Sequence, residues 1–136
     1  MYLPTSEIEA IQRQIAECNA RIQALQGQIN EKKSKIDQYT ALISGMASVT
    51  SSLNSANFEL TDAKSNLSNM YDGPAADAPH GSISSAKGQI VSCVMTLRSC
   101  TSEANNQKQK LEKEKQELEN EKTRLEAHVS YLQSLI

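Results

Sequence analysis

Apolar residues recur with a heptad spacing along the first third of the chain. Positions taken from Ile8 in alternate steps of three and four are apolar at eleven of twelve sites, and Lys32 is the exception. This spacing predicts a long amphipathic helix that packs along one face. The positions are Ile8, Ile11, Ile15, Cys18, Ile22, Leu25, Ile29, Lys32, Ile36, Tyr39, Ile43 and Met46.

The apolar stripe moves sideways by one position after about Leu42 and keeps one of its two rows. It then consists of Leu42, Met46, Val49, Leu53, Ala56, Leu60, Ala63, Leu67 and Met70. A stripe drifts in this way when the helix keeps 3.6 residues per turn under a 3.5-residue repeat, or when the partner of the helix changes partway. We predict a partner-binding surface within this segment, formed by Leu42, Met46, Val49, Leu53, Leu60 and Leu67.

Capping and helix-breaking residues set the predicted limits of two helices. The sequence Ser6-Glu7-Ile8-Glu9 is a capping box that predicts a helix over about 6–70. Gly and Pro residues then predict a turn over about 71–81 and a second helix over about 82–136. The stripe of this second helix runs through Ile83, Ala86, Ile90, Cys93, Leu97, Cys100, Ala104, Gln107, Leu111, Glu114, Leu118, Glu121, Leu125, His128, Leu132 and Leu135.

Two long amphipathic helices joined by a short turn predict an all-α fold, a long antiparallel coiled-coil-like hairpin that forms one domain over 1–136. With the turn centred near residue 76, the numbers of facing residues sum to about 152. This register places Lys32, Lys33 and Lys35 opposite an acidic segment that contains Glu114 and Glu121. The hairpin buries one side of each helix and leaves apolar surface over, which favours a partner, either another copy or a different chain.

Composition argues against several other classes of protein. The balance of 14 basic and 16 acidic residues does not favour nucleic-acid binding, and a mean hydropathy of -0.51 does not favour membrane insertion. The N-terminus lacks a leader pattern, so we expect a cytoplasmic protein with Cys18, Cys93 and Cys100 reduced and serving as small core residues. No catalytic or metal-ligand spacing is present, so we expect neither an enzyme nor a cofactor.

The turn residues Tyr71, Asp72 and Gly73, with apolar stripes on either side, resemble the WXG family of type VII secretion substrates of Gram-positive bacteria. The lengths and heptad arms resemble more closely the small helical partner proteins of LXG toxins of the same pathway. Tyr71 stands where the family usually has Trp. An aromatic-x-x-x-acid pattern, which the family often uses for export, occurs here at Phe58 and Asp62, whose alternative role is ordinary helix surface.

The resemblance implies a non-enzymatic role. The chain would bind the helical N-terminal domain of a secreted toxin, often together with a second small helical protein, and act as a targeting chaperone for export. It would be cytoplasmic or itself exported through type VII secretion without a signal peptide. The alternative function is a structural coiled-coil scaffold, either homodimeric or part of a larger assembly.

Overall fold

A computed structural model describes residues 3–70 and 74–136, with side chains for 3–70 and 77–136. Two helices account for nearly all of them: α1 spans Thr5–Met70 and α2 spans Pro74–Ser134. The helices run antiparallel and pack against each other, and no strand occurs within the described ranges. The predicted all-α helical hairpin is therefore confirmed.

The first helix begins one residue before the predicted limit. The amide N–H groups of Glu7 and Ile8 donate to the carbonyl oxygen of Pro4, with N···O distances of 3.0 and 3.1 Å. Pro4 therefore caps the helix through its backbone, and Ser6 lies inside the first turn rather than at the cap. The helix continues through Gly27 and Gly45 to Met70.

The second helix begins at Pro74, so the predicted helix start near 82 is wrong and positions 74–81 of the predicted turn are helical. Positions 71–73 of that turn lie outside the described residues. Pro79 and Gly81 lie within α2. Proline is tolerated in the first turn of a helix because the amide groups there have no intrahelical acceptor. Pro79 is the sixth residue, so the hydrogen bond that it removes is one of the first in the helix.

The register of the hairpin differs from the predicted one. Lys32 contacts Glu114, and Lys64 contacts Ser84. Residue numbers of these pairs sum to 146 and 148, below the predicted 152. The predicted opposition of a basic and an acidic segment is nevertheless confirmed, because a shift of a few residues keeps Lys32 within reach of Glu114.

The chain divides into two compact units. The terminal unit comprises Met1–Gln38 and Gln107–Ile136, and the central unit comprises Tyr39–Asn106. In the terminal unit the most deeply buried side chains are Leu25, Ile29, Val129 and Leu132. The α1 side of this core includes an isoleucine at every seventh position, namely Ile8, Ile15, Ile22, Ile29 and Ile36.

The central unit has a thinner core of Met46, Val94 and Ala104. Cys93 and Cys100 are exposed, so the prediction that they are core residues is wrong. His128 and Leu135 of the predicted stripe are also exposed. The inward face of α2 consists of the row from Ile90 to Leu132 and a second row, which can lie either three or four positions after each residue of the first. In the structure the second row lies four positions later and includes Val94, Thr101 and Val129.

Candidate partner-binding surface

In the central unit, polar residues occupy one of the two rows of α1 that pack against α2. The row that holds isoleucine up to Ile43 continues with Thr50, Asn57 and Lys64, all half-buried. The Thr50 hydroxyl donates to the Met46 carbonyl at 2.8 Å, and Lys64 Nζ donates to Ser84 Oγ at 2.9 Å. The Asn57 Oδ1 atom is buried and has no hydrogen-bond partner. The hairpin interface of this unit therefore includes polar groups and one unpaired acceptor.

A second apolar row of this segment flanks the row of Met46, Leu53, Leu60 and Leu67 on the side away from Thr50, and we call it the outer row. Its members recur every seven residues and are Leu42, Val49, Ala56, Ala63 and Met70. Leu42 is 51% exposed, Val49 is 50% exposed and Met70 is 72% exposed. In the terminal unit the same heptad position holds Gln14, Arg21, Gln28 and Lys35. The outer row is thus apolar in the central unit only, and its Leu42, Val49 and Met70 residues remain at least half exposed beside α2.

Small residues of α2 border the same side of the central unit. On the opposite side, Thr50 and Asn54 share a groove with Arg98 and Thr101. The inward row of α2 that contains Val94 and Thr101 therefore lies beside the row of α1 that contains Thr50. The other inward row of α2, which contains Ile90 and Leu97, must lie on the side of the outer row. Flanking that second inward row are Ala86, Cys93 and Cys100. We call these three residues and the outer row together the apolar surface.

Charged residues are sparser in the central unit than in the terminal unit. None of the eight positions of the apolar surface is charged, and only eight of the 30 charged residues of the chain lie between 39 and 106. Soluble proteins rarely leave a continuous apolar patch of this kind without a partner. The apolar surface is therefore the candidate partner-binding site.

The structure divides the predicted partner-binding residues into two groups. Met46 is buried, and Leu53, Leu60 and Leu67 are half-buried in the interface between α1 and α2. Leu42 and Val49 are the two that remain largely exposed. The first group supports the hairpin from inside, and the second is available to another chain.

Phe58 lies on the opposite side of α1, in the groove with Arg98 and Thr101, and it is 69% exposed. Asp62 follows one turn later and is also exposed. The side chains of the candidate export motif are thus both accessible. The predicted turn motif of Tyr71, Asp72 and Gly73 lies outside the described residues.

Ion pairs connect the two helices within the terminal unit. Lys32 Nζ lies 2.7 Å from Glu114 Oε2, and Arg21 Nη2 lies 3.1 Å from Glu121 Oε1. The hydrogen bond from Lys32 holds the pKa of Glu114 below its ordinary value against the opposing effect of desolvation, and the charges of Lys110 and Lys35 act in the same direction as Lys32. These pairs join the helices in the terminal unit, where the heptad position of the outer row holds polar and charged residues.

The described parts of the chain contain neither a metal-binding cluster nor a membrane-spanning helix. No group of three or more His, Cys, Asp or Glu side chains there could hold a metal ion. No helix there combines the length and apolar character needed to cross a membrane.

Comparisons with protein-family models, with curated proteins and with solved structures find no match to this chain. The resemblance to WXG-like partner proteins therefore rests on the turn sequence and the heptad stripes alone.

Proposed function

We propose that this chain is a non-enzymatic helical hairpin that binds the helical domain of a larger secreted protein through the apolar surface and supports its export. In the terms of the resemblance, that protein is an LXG toxin of the type VII pathway. The observation that carries the proposal is the outer row, which stays apolar and exposed while polar residues pack against α2.

The arrangement of the two rows favours a third helix as the bound element. The outer row lies next to Met46, Leu53 and Leu60, so a helix placed on it would extend the hairpin core already present. The row spans 29 residues, from Leu42 to Met70, and the distance along the helix between its ends is about 42 Å. A partner helix of four heptads with an uncharged apolar face would match it.

Burial of the outer row supplies the driving force for binding of the partner helix. Fully burying a Leu, Val or Met side chain contributes about 1.5–3 kcal/mol, and roughly half of that remains to be gained where half of the side chain is exposed. Leu42, Val49 and Met70 together would then contribute about 3 kcal/mol. The Ala residues and Cys93 add area and allow the partner backbone to approach closely.

The experiment that tests this function is affinity capture of the tagged chain from its native cells, with the wild type compared against two variants. Val49→Asp places a charge in the outer row, and Gln28→Asp places the same charge at the equivalent exposed position of the terminal unit. We expect a large protein with a helical N-terminal domain to be retained by the wild type and by Gln28→Asp and lost from Val49→Asp, because an unpaired charge is costly to bury.

Export is the second measurement. Cells that lack this chain should no longer secrete the captured protein, and Gln28→Asp should restore its secretion where Val49→Asp does not. Recovery of the chain alone at a fixed oligomeric mass would contradict the proposal and support the structural scaffold instead.

A further inference from the structure

We propose that the central unit has a second docking surface, a basic groove that binds an acidic amphipathic helix of another protein. The groove lies on the side of the hairpin opposite the apolar surface, where Phe58 shares a cleft with Arg98. Binding there goes beyond the proposed function, because it does not involve the outer row. The residues of the basic groove are Phe58, Lys64, Lys87, Val91, Met95 and Arg98.

Contacts between the helices place these residues on one side of the hairpin. Lys64 Nζ donates to Ser84 Oγ at 2.9 Å, and Val91 and Arg98 follow Ser84 in the same seven-residue row of α2. Met95 lines a cleft together with Val91 and Arg98. Side chains from both helices therefore converge on the same side.

The charges on this side are all positive. Lys87 occupies the inward row of α2 that continues with Val94 and Thr101, so it lies on the same side as Lys64 and Arg98. Within 39–70 and 78–106, the rows that form this side contain no Asp or Glu. Lys64 and Lys87 are half-buried, and none of the three cations forms an ion pair within the described part of the chain.

The described acidic residues of the central unit lie away from the groove. Glu59 and Glu103 border the apolar surface, and Asp62 lies on the back of α1. In the same rows of α2, the nearest acidic residue is Asp77, about 15 Å from Lys87 along the helix. The groove therefore favours a partner that supplies the missing negative charge.

Apolar side chains separate the cations along α2. Val91 and Met95 lie between Lys87 and Arg98 and are 49% and 63% exposed. The exposed Phe58 lies across the groove at about the level of Val91, in the register set by the contact of Lys64 with Ser84. A complementary partner must place apolar groups between its two negative charges.

This order of charges fits a helix better than a nucleic acid. A nucleic acid carries a phosphate at every nucleotide and would set charged groups against Val91 and Met95. Lys87 and Arg98 are about 16.5 Å apart along α2, which is about three helical turns. A helix lying along α2 matches them with Asp or Glu at positions i and i+11 and with large apolar residues at i+4 and i+7. That pattern suits either direction of docking.

The experiment is a fluorescence anisotropy titration of the purified full chain against a labelled, stapled helical peptide of about 18 residues. The peptide contains two Glu residues at i and i+11 and two Leu residues at i+4 and i+7, in a background of Ala and Gln. A staple on its opposite face removes the cost of ordering the helix. We expect saturable binding with a dissociation constant of about 10–100 µM at low ionic strength, weakened by added salt. A peptide with Gln in place of both Glu residues should bind at least about 10-fold more weakly.

Charge reversal in the groove tests the location of the site. Arg98→Glu should raise the dissociation constant at least about 10-fold, and Arg13→Glu, at an exposed position of the terminal unit, should change it by less than about 2-fold. A peptide with Lys in place of one Glu should bind the Arg98→Glu variant more tightly than the wild type, because the reversed pair restores the attraction. Circular dichroism of both variants checks that the helices remain folded.

Absence of saturable binding, equal binding of the Gln peptide or equal binding by Arg98→Glu would overturn the proposal. Tighter binding of a single-stranded oligonucleotide would overturn it in favour of a nucleic-acid partner. Val49→Asp should bind the peptide as the wild type does, and Arg98→Glu should still capture the secreted protein from cells. Failure of the basic groove is therefore distinguishable from failure of the proposed function.

Discussion

Lys32 Nζ lies 2.7 Å from Glu114 Oε2, and this ion pair joins the polar exception in the predicted α1 stripe to a polar position of the α2 stripe. Both side chains are about one-third exposed. An apolar seam alone permits the helices to slide by a heptad, whereas an opposite-charge pair inside the seam favours one register. We infer that the pair helps to fix the register of the terminal unit.

A double-mutant cycle on this pair tests that inference. Lys32→Met and Glu114→Met should each destabilise the hairpin, because each leaves one charge partly shielded from water without its partner. The double variant should be less destabilised than the sum of the two single variants. Urea unfolding followed by circular dichroism measures all four proteins, and additive effects would show that the two side chains do not interact.

Acidification should weaken the same contact. The folded state holds the pKa of Glu114 below its ordinary value of 4.5, so Glu114 contributes stability above that pH, and this contribution is lost as the pH falls through the lower folded value. We expect the difference in unfolding free energy between the wild type and Glu114→Gln to narrow as the pH falls below 4.5. A difference that does not change with pH would contradict the shift.

Burial distinguishes two leucines of α1 that are equally prominent in the sequence. Leu25 is 0% exposed and Leu42 is 51% exposed. Leu25→Ala should therefore lower the free energy of unfolding by about 3 kcal/mol, because it leaves a cavity in the core, and Leu42→Ala should lower it by less than about 1 kcal/mol. Chemical denaturation at low protein concentration, where self-association is negligible, measures both. Similar losses would show that Leu42 is not exposed in the free chain.

Replacement of Asn57 should stabilise the central unit. Its buried Oδ1 atom lacks a partner, and an isoleucine at this position would continue the row that ends at Ile43. We expect Asn57→Ile to raise the free energy of unfolding by about 1–2 kcal/mol. The exposed neighbour Asn54 provides the control, since Asn54→Ile should change it by less than about 0.5 kcal/mol. A destabilised Asn57→Ile variant would indicate that Asn57 has a partner in solution.

Gly27 offers a substitution without a steric penalty. It lies inside α1, and a Cβ atom added there would meet nothing within 4 Å. Gly27→Ala should stabilise the hairpin by about 0.5–1 kcal/mol, because alanine loses less backbone entropy in a helix than glycine does. Thermal unfolding measures the gain, and the absence of any gain would indicate that α1 is bent or frayed at this position.

Much of the hairpin could be predicted from the sequence because heptad rows identify the inward face of a long helix directly. The stripe from Ile8 to Met46 is inward-facing throughout. The α2 stripe is ambiguous in the sequence, because the second inward row can lie three or four positions after each residue of the first, and Cys93 and Val94 are both apolar enough for an inward position. The packing of α2 on α1 shows that Val94 is the buried residue.

The start of α2 and the nature of the candidate surface also required the structure. Pro79 and Gly81 are typical of turns, yet proline near the N-terminus of a helix removes few hydrogen bonds. The drift of the stripe after Leu42 fitted either a gradual rotation of the helix or a change of partner. Leu42 and Val49 are exposed, so α2 does not shift sideways to cover the new row of the stripe. The spacing of apolar residues alone could not distinguish these two cases.

The polar row of the central unit has a consequence for how this protein opens. Native proteins unfold locally first where the fewest apolar contacts are lost, and the interface with Thr50, Asn57 and Lys64 has fewer of them than the isoleucine row of the terminal unit. Amide protons of the central unit should therefore exchange with solvent faster than those of the terminal unit. A partner that docks on the central unit would suppress this local unfolding. Binding would therefore slow hydrogen exchange most in the segment that is least stable in the free chain.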